Sequence, residues 1–492
     1  MGTGASTLTC LDRPAPILYS TALHVAAPAP PRRLPSRATQ VALAAVVCAA
    51  AAILRTWDIS RHFWLLGDQI RDWKIALGPF SDLPLVGPAT HVGGYTIGPA
   101  FYWLLWMIRV LLGPWFENLP HAGGIGQAWL QSGADALLLV AIWRRTGSLW
   151  IALAAVVLLV TAPYDLALSP LVWNPVMGST LAKVATALVL LAWPDRSLAR
   201  VAITAAVAWG AVHCYTGTIF VALSVFAALV AAPIVRREWQ PVFRRGLVVW
   251  IVVVALQIPY VVHRVWIDPA GPPGMGVVAE SLASVASGGA IRLQASVTAY
   301  AHALNGIQLR PRTSAATGWF VLACGFIVAA RYRRDPVLLA VTILPQLAAI
   351  GGYALWLGDF DDYYYLSLMP AAVLTVLLGV TALTRGRASQ PVAIALLVAA
   401  LAIAPGRVRE AGGIHKMPEY DALVRASRAI LARAQGGGGP APVQRIEAPF
   451  LPPTGDPSFV YWILGGRLDA HSPWVATIAP EGQVSYRRVD SR

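Results

Sequence analysis

From residue 39 nearly to residue 405 the chain alternates apolar runs of about 16 to 22 residues with short polar or basic breaks. A helix of that length crosses a hydrocarbon core while satisfying its own backbone hydrogen bonds. The pattern predicts spans over about 39–56, 149–166, 176–193, 201–212, 218–235, 247–262, 319–330, 336–357, 363–383 and 391–404. Two further apolar stretches, 97–112 and 125–143, lie between the first and second of these.

The breaks carry arginines: Arg32, Arg33 and Arg37 before the first span, then Arg144-Arg145, Arg196 with Arg200, Arg236-Arg237 with Arg244-Arg245, Arg331 to Arg334, and Arg385 with Arg387. The positive-inside rule puts all of them on one side if only one of the stretches 97–112 and 125–143 crosses. The better non-crossing candidate is 97–112, which opens with Gly98-Pro99, carries Arg109 and is crowded with Trp103, Trp106 and Trp115. The expected architecture is an all-α polytopic membrane bundle of about eleven crossings plus interfacial helices, N-terminus inside and C-terminus outside.

Composition agrees: 57% of the 492 residues are hydrophobic and 13% charged, too few polar groups to cover a soluble globule of this size. The net charge of +14 is spread in short clusters rather than one face, so it reads as topology and headgroup contact, with no nucleic-acid partner. Cys10, Cys48, Cys214 and Cys324 lie far apart and show neither disulfide nor metal-ligand spacing. Residues 1–38, rich in Pro and Ala, are expected to be a disordered cytoplasmic lead. Residues 405–492 lose the apolar runs and predict a small α+β appendage outside the cell, with a helix over 420–434 and strands over 443–446, 459–464, 474–478 and 484–489.

On this topology the polar residues of the 39–404 domain gather on the outer face. They lie in the first loop (57–96), the SPLVWNP segment ending at Pro175, the break from His213 to Thr216, the long loop 263–317, and the GDFDDYYY segment ending at Tyr365. Segments distant in sequence would then line one cavity.

Asp68, about twelve residues beyond the first span, could take a proton from a hydroxyl as general base, or could cap a helix over 69–77. Asp72, one turn on, is a second acid or a partner for Arg71 or Lys74. Arg71, Lys74 and Arg292 suit a phosphate at headgroup depth, or snorkel to water. Arg109, Asp135 and Lys183 lie in apolar stretches, where charge is costly and is either functional or paired. His91, Tyr95, Trp173, Asn174, His213, Tyr363 and Tyr364 complete the candidate substrate-binding set, the aromatics as interfacial belt or sugar-stacking surface.

Taken in order, Gly67-Asp68-Gln69, Pro99-Ala100-Phe101-Tyr102, Trp173-Asn174-Pro175, His213 and Tyr363-Tyr364-Tyr365 leading to Pro370 resemble the GT-C membrane glycosyltransferases. The likeness is to the bacterial branch related to dolichyl-phosphate-mannose protein mannosyltransferases and lipid A aminoarabinose transferases, and it spans the whole membrane part. It implies inverting transfer of a sugar from a polyprenyl-phosphate carrier to a hydroxyl of a glycolipid, polysaccharide or protein, at the outer face of a bacterial inner membrane, with Asp68 as base. Gln69 stands where many relatives have a second acid, and Gly98-Pro99 replaces a Pro pair. No metal or other cofactor is assigned. A transporter or flippase of a lipid-linked sugar is the competing class, but no internal repeat is visible.

Overall fold

The computed structural model describes residues 35–489 other than 64, 66, 90–93, 270–279, 282, 285, 288–290, 309–313, 357, 385–387, 415–417, 436–442 and 452–454. His91, the expected lead up to residue 34 and parts of the 263–317 loop lie outside the described residues.

The first apolar run becomes α1 (Arg37–Thr56): the Ser36 side chain accepts from Thr39 N at 3.1 Å, and no charge falls between Arg37 and Arg55. The first loop holds α2 (Gly67–Ala76), followed by α3 (Ala100–Leu112). With 13 residues, α3 is about 20 Å long, short of the roughly 30 Å core, so it cannot cross alone. Next come α4 (Leu119–Thr146), capped by Asn118 and stopped by Gly147 at φ 69°, then α5 (Leu149–Val160) and α6 (Pro163–Leu168). The single span expected over 149–166 is thus broken at Thr161-Ala162, because Pro163 has no N–H to donate and disfavours a helical residue before it.

The bundle continues with α7 (Asn174–Leu190), α8 (Leu198–Cys214), α9 (Ile219–Val235), α10 (Trp239–Val262), α11 (Leu293–Gln308) and α12 (Ala316–Arg331). It closes with α13 (Pro336–Thr342), α14 (Leu344–Tyr353), α15 (Met369–Ala382) and α16 (Ser389–Ala411). The pair α13 and α14 is bent by 41°, with Pro345 just past the break. Six described helices are long and apolar enough to cross a membrane, or seven with that pair as one span. Helices α5, α8 and α12 are apolar too, but shorter, at 12 to 17 residues.

One element departs from the sequence reading by location. The stretch 263–317, read as a long outer loop, contains α11, which sits in the core with Tyr300, Leu304 and Ile307 buried. Its polar side chains are satisfied there: Ser296 Oγ donates to Ile350 O (2.7 Å) and Tyr300 Oη to Gln346 Oε1.

Charge inside the bundle is paired. Arg55 reaches Asp135 (2.6 Å) and Asp165 (3.2 Å), and Lys183 lies 3.1 Å from Asp135 and 3.4 Å from Asp165. Two acids thus face two bases, all buried, across α1, α4, α6 and α7. Arg109 donates instead to the carbonyls of Ala76 (3.0 Å) and Gly78 (2.7 Å), closing the C-terminal end of α2.

Beyond α16 lie α17 (Pro418–Gln435), β1 (Arg445–Glu447), α18 (Pro457–Ile463), β2 (Trp474–Ile478) and β3 (Val484–Arg488). The sheet order is β1-β2-β3, with β1 parallel and β3 antiparallel to β2. The strand expected over 459–464 is the helix α18, since the Asp456 side chain accepts from Ser458 N (3.0 Å) and Pro457 opens the first turn. This C-terminal part shares one apolar cluster with the first loop: Tyr420, Leu423 and Phe459 pack with Phe63, Trp73 and Leu105.

Candidate functional site

Where the helices α7 and α9 begin and α8 and α14 end, the bundle forms an open-sided cavity of about 510 Å³. Asp68 and Arg71 of α2 reach its wall, with Thr96 from the end of the first loop, Trp173 and Asn174 before α7, Tyr215 and Thr216 before α9, and Tyr363 and Tyr364 before α15. Four of the five polar segments singled out in the sequence therefore meet in one place, the fifth reaching it through Ser281.

The local reasons are simple. Proline at the second position of α7 starts that helix just after Trp173, and the Asn174 amide donates to Cys214 O (3.2 Å), tying the start of α7 to the end of α8. A short 3-10 helix over Asp362–Leu368 projects the tyrosines before Pro370. Their rings interlock: Trp173 and Tyr363 are 4.9 Å apart, Tyr363 and Tyr364 4.7 Å, and Tyr353 and Tyr364 6.0 Å.

Asp68 and Asp72 share a face of α2 but not an environment. The Asp68 side chain is 61% exposed and accepts from Arg71 Nη1 at 3.2 Å. Asp72 is buried; its Oδ1 accepts from Arg71 Nε (2.9 Å) and Tyr102 Oη (3.1 Å), while its Oδ2 has no partner. Burial lifts the Asp72 carboxyl to about 6, against the pull of the Arg71 guanidinium. Arg71 therefore bridges an open carboxylate and a closed one. Of the two carboxyl groups, only that of Asp68 lines the cavity.

The remaining predicted site residues divide. Trp173, Asn174, Tyr363 and Tyr364 line the cavity. Arg292 stands near its edge, where its backbone N–H donates to Ala354 O (2.8 Å) and its guanidinium to Trp356 O (3.4 Å), the latter residue being part of the wall. Lys74 points away, to Asp456 (3.1 Å) and over the Phe459 ring. Tyr95 pairs with Ala89 in an isolated bridge and its ring lies 6.1 Å from that of His263. His213 is buried, shares a 3.0 Å hydrogen bond with Gln257, and packs so tightly on Gly98 that a Cβ there would fall within its ring. It is part of the scaffold.

Sequence reasoning did not single out Phe220, Tyr353 or Trp356, which extend the aromatic wall. The signal for the last two was their position at the end of the 336–357 run, directly before the acidic Asp359 to Asp362 segment. Among the described residues no three His, Cys, Asp or Glu side chains gather as metal ligands would.

No family model matches the chain, and no curated protein matches it in sequence. Solved structures do. ArnT from Cupriavidus metallidurans, bound to undecaprenyl phosphate, superposes with a TM-score of 0.54 at 14% identity, over 87% of this chain and 85% of that one. An Archaeoglobus fulgidus oligosaccharyltransferase in the apo form gives 0.46 at 14% identity, over 89% of this chain and 64% of that one. AglB of that organism, in complex with an inhibitory peptide and a dolichol-phosphate, gives 0.44 at 14% identity over the same shares.

Proposed function

We propose that this chain, which has the GT-C fold, is an integral membrane glycosyltransferase that moves a sugar from a polyprenyl-phosphate carrier to a hydroxyl acceptor. The observation that carries the reading is the meeting of Asp68 and Arg71 with the Trp173, Tyr363 and Tyr364 rings around one cavity.

The chemistry divides among these groups. The acceptor hydroxyl gives its proton to the Asp68 carboxylate as its oxygen attacks the anomeric carbon, opposite the departing phosphate. The bond from that carbon to the phosphate oxygen breaks, its electron pair goes to the phosphate, and the anomeric configuration inverts. Arg71, at the wall, offers a guanidinium to the anion that leaves. The phosphate is already a good leaving group held by a lipid, so no nucleotide-binding fold is needed. The aromatic rings suit the apolar face of a sugar and the first isoprene units.

The arginine-rich breaks support a cavity at the outer face, with the N-terminus inside, under the positive-inside rule, and the membrane proposed is a bacterial inner one. The acceptor is a glycolipid, a polysaccharide or a protein. Purified protein incubated with radiolabelled polyprenyl-phosphate sugars and host membranes should label an acceptor, and Asp68→Asn should abolish that labelling while leaving carrier binding intact. Full transfer by the Asn variant would sink the assignment and favour carriage of the lipid-linked sugar without chemistry.

A further inference from the structure

At the opposite ends of α7 and α9 there is a second cavity, of about 340 Å³. Each of these helices has 17 residues, which sets the two cavities about 25 Å apart along the bundle. Three arginines and two acids line the second one: Arg145, Arg236, Arg334, Asp195 and Asp335.

Both acids are already engaged. Asp335 bonds to Arg145 and caps α13 by accepting from Leu338 N (3.0 Å), and Asp195 accepts from Arg245 of α10 at 2.7 Å. That leaves Arg236 and Arg334, whose side chains have no hydrogen-bond or ion-pair partner among the described residues, and the buried Arg145 Nε, which has none either. The unmatched charge facing the cavity is positive.

Offsetting helix dipoles does not account for this arrangement. Arg236 follows the C-terminal end of α9, where a cation is favoured. Arg334, however, stands immediately before Asp335, the N-cap of α13, at the helix end that repels a cation. An anion between the two guanidinium groups would remove that conflict. Leu229 and Val337 give the cavity an apolar side as well.

We propose that this cavity binds a phosphate group between Arg236 and Arg334, carried either by the headgroup of an anionic lipid or by a soluble phosphate. Arg236 and Arg334, exposed residues of two separate elements that both line the cavity, offer paired guanidinium donors to phosphate oxygens. The site is independent of the sugar-transfer reading, since none of its residues lines the first cavity.

The test uses the full-length protein, stripped of lipid and checked for folding by gel filtration. Native mass spectrometry would follow binding of phosphatidylglycerol against phosphatidylcholine, and thermal melting would follow inorganic phosphate against chloride. Phosphatidylglycerol should bind once per chain, and R236Q/R334Q should weaken it about tenfold or more, as expected for loss of two charge-assisted contacts. The control R237Q/R333Q, whose side chains do not line the cavity, should change binding less than about twofold. If inorganic phosphate alone stabilises the protein, through the same two arginines, the ligand is a soluble phosphate and the site stands. Equal phosphatidylglycerol binding by wild type and R236Q/R334Q, with no phosphate effect in either, overturns the proposal.

Discussion

Lys74, six residues after Asp68 on the same short helix, pairs at 3.1 Å with Asp456, 382 residues away in the C-terminal part. The contact is one edge of a larger junction. Arg428 reaches Glu117 (2.8 Å), Tyr420 Oη donates to Asn118 Oδ1 (2.8 Å), and the Tyr420 ring packs at a tilt against Phe63 and His121. The segment after α16 is therefore built into the support of the loop that carries Asp68, a role that its sequence alone did not reveal.

The ion pair itself contributes little. Lys74 and Asp456 are about half and a third exposed, so K74A or D456A should lower stability by less than about 1 kcal/mol. The apolar part of the junction matters more: Phe459→Ala, at a fully buried position, should cost about 3 to 5 kcal/mol if the site does not collapse. Chemical denaturation in detergent would measure both. A comparable loss for K74A would mean that the pair, rather than the packing, holds the junction.

Asp68→Asn should reduce sugar transfer by about 100-fold to 10,000-fold, the usual range for a general base, with little change in melting temperature because the side chain is mostly exposed. Single-turnover transfer from a labelled carrier, set beside a melting curve, separates loss of chemistry from loss of fold.

Asp72 should report on pH. Its carboxyl is raised from an unfolded value near 3.8 to about 6, so between those values the folded protein holds a proton that the unfolded chain has released. The stabilisation is complete below about pH 4 and is lost as pH rises through 6. The amount is on the order of 2 to 3 kcal/mol. From pH 4 to 7 the stability of wild type relative to Asp72→Asn should fall by that amount, the other titrating groups cancelling in the difference. A difference between wild type and Asp72→Asn that stays constant over this window would show Asp72 to be ionised throughout.

The buried cluster of Arg55, Asp135, Asp165 and Lys183 is balanced, and removing one member unbalances it. Asp135→Ala should cost about 3 to 5 kcal/mol, because an uncompensated cation stays in a dry interior. The paired change R55M/D135L should cost less than the sum of its single changes. Additive losses would mean that the two side chains act separately.

Gly98→Ala should be poorly tolerated, since the new Cβ meets the buried His213 ring. Combining it with His213→Ala makes room, so the double variant should recover part of the stability that Gly98→Ala loses. If His213→Ala alone abolishes transfer while the fold persists, its role is more than packing.

Much of the fold was legible along the chain. Apolar runs of spanning length, arginine-bearing breaks and a final loss of hydropathy follow from local chemistry: a helix in hydrocarbon must be long, apolar and internally bonded. The first loop, the WNP turn and the tyrosine run were legible as polar exceptions, and their order along the chain carried the resemblance. The strand expected over 459–464 was misread because that run is short and apolar at every position, which periodicity alone does not resolve, while Asp456 and Pro457 start a helix.

What tertiary structure alone decided was which polar group has which neighbour. Asp68 and Asp72 have the same chemistry and lie one turn apart, yet one opens on the cavity and the other is sealed against Tyr102. Lys74 and Arg71 are equivalent cations on one helix, but the C-terminal part takes the first and the cavity the second. Asp135, costly in an apolar run, is neutralised by bases on two other helices. Helical periodicity sets which residues share a face, whereas burial, and with it a carboxylate's proton and a cation's partner, depends on segments from 30 to 382 residues away packing over that face.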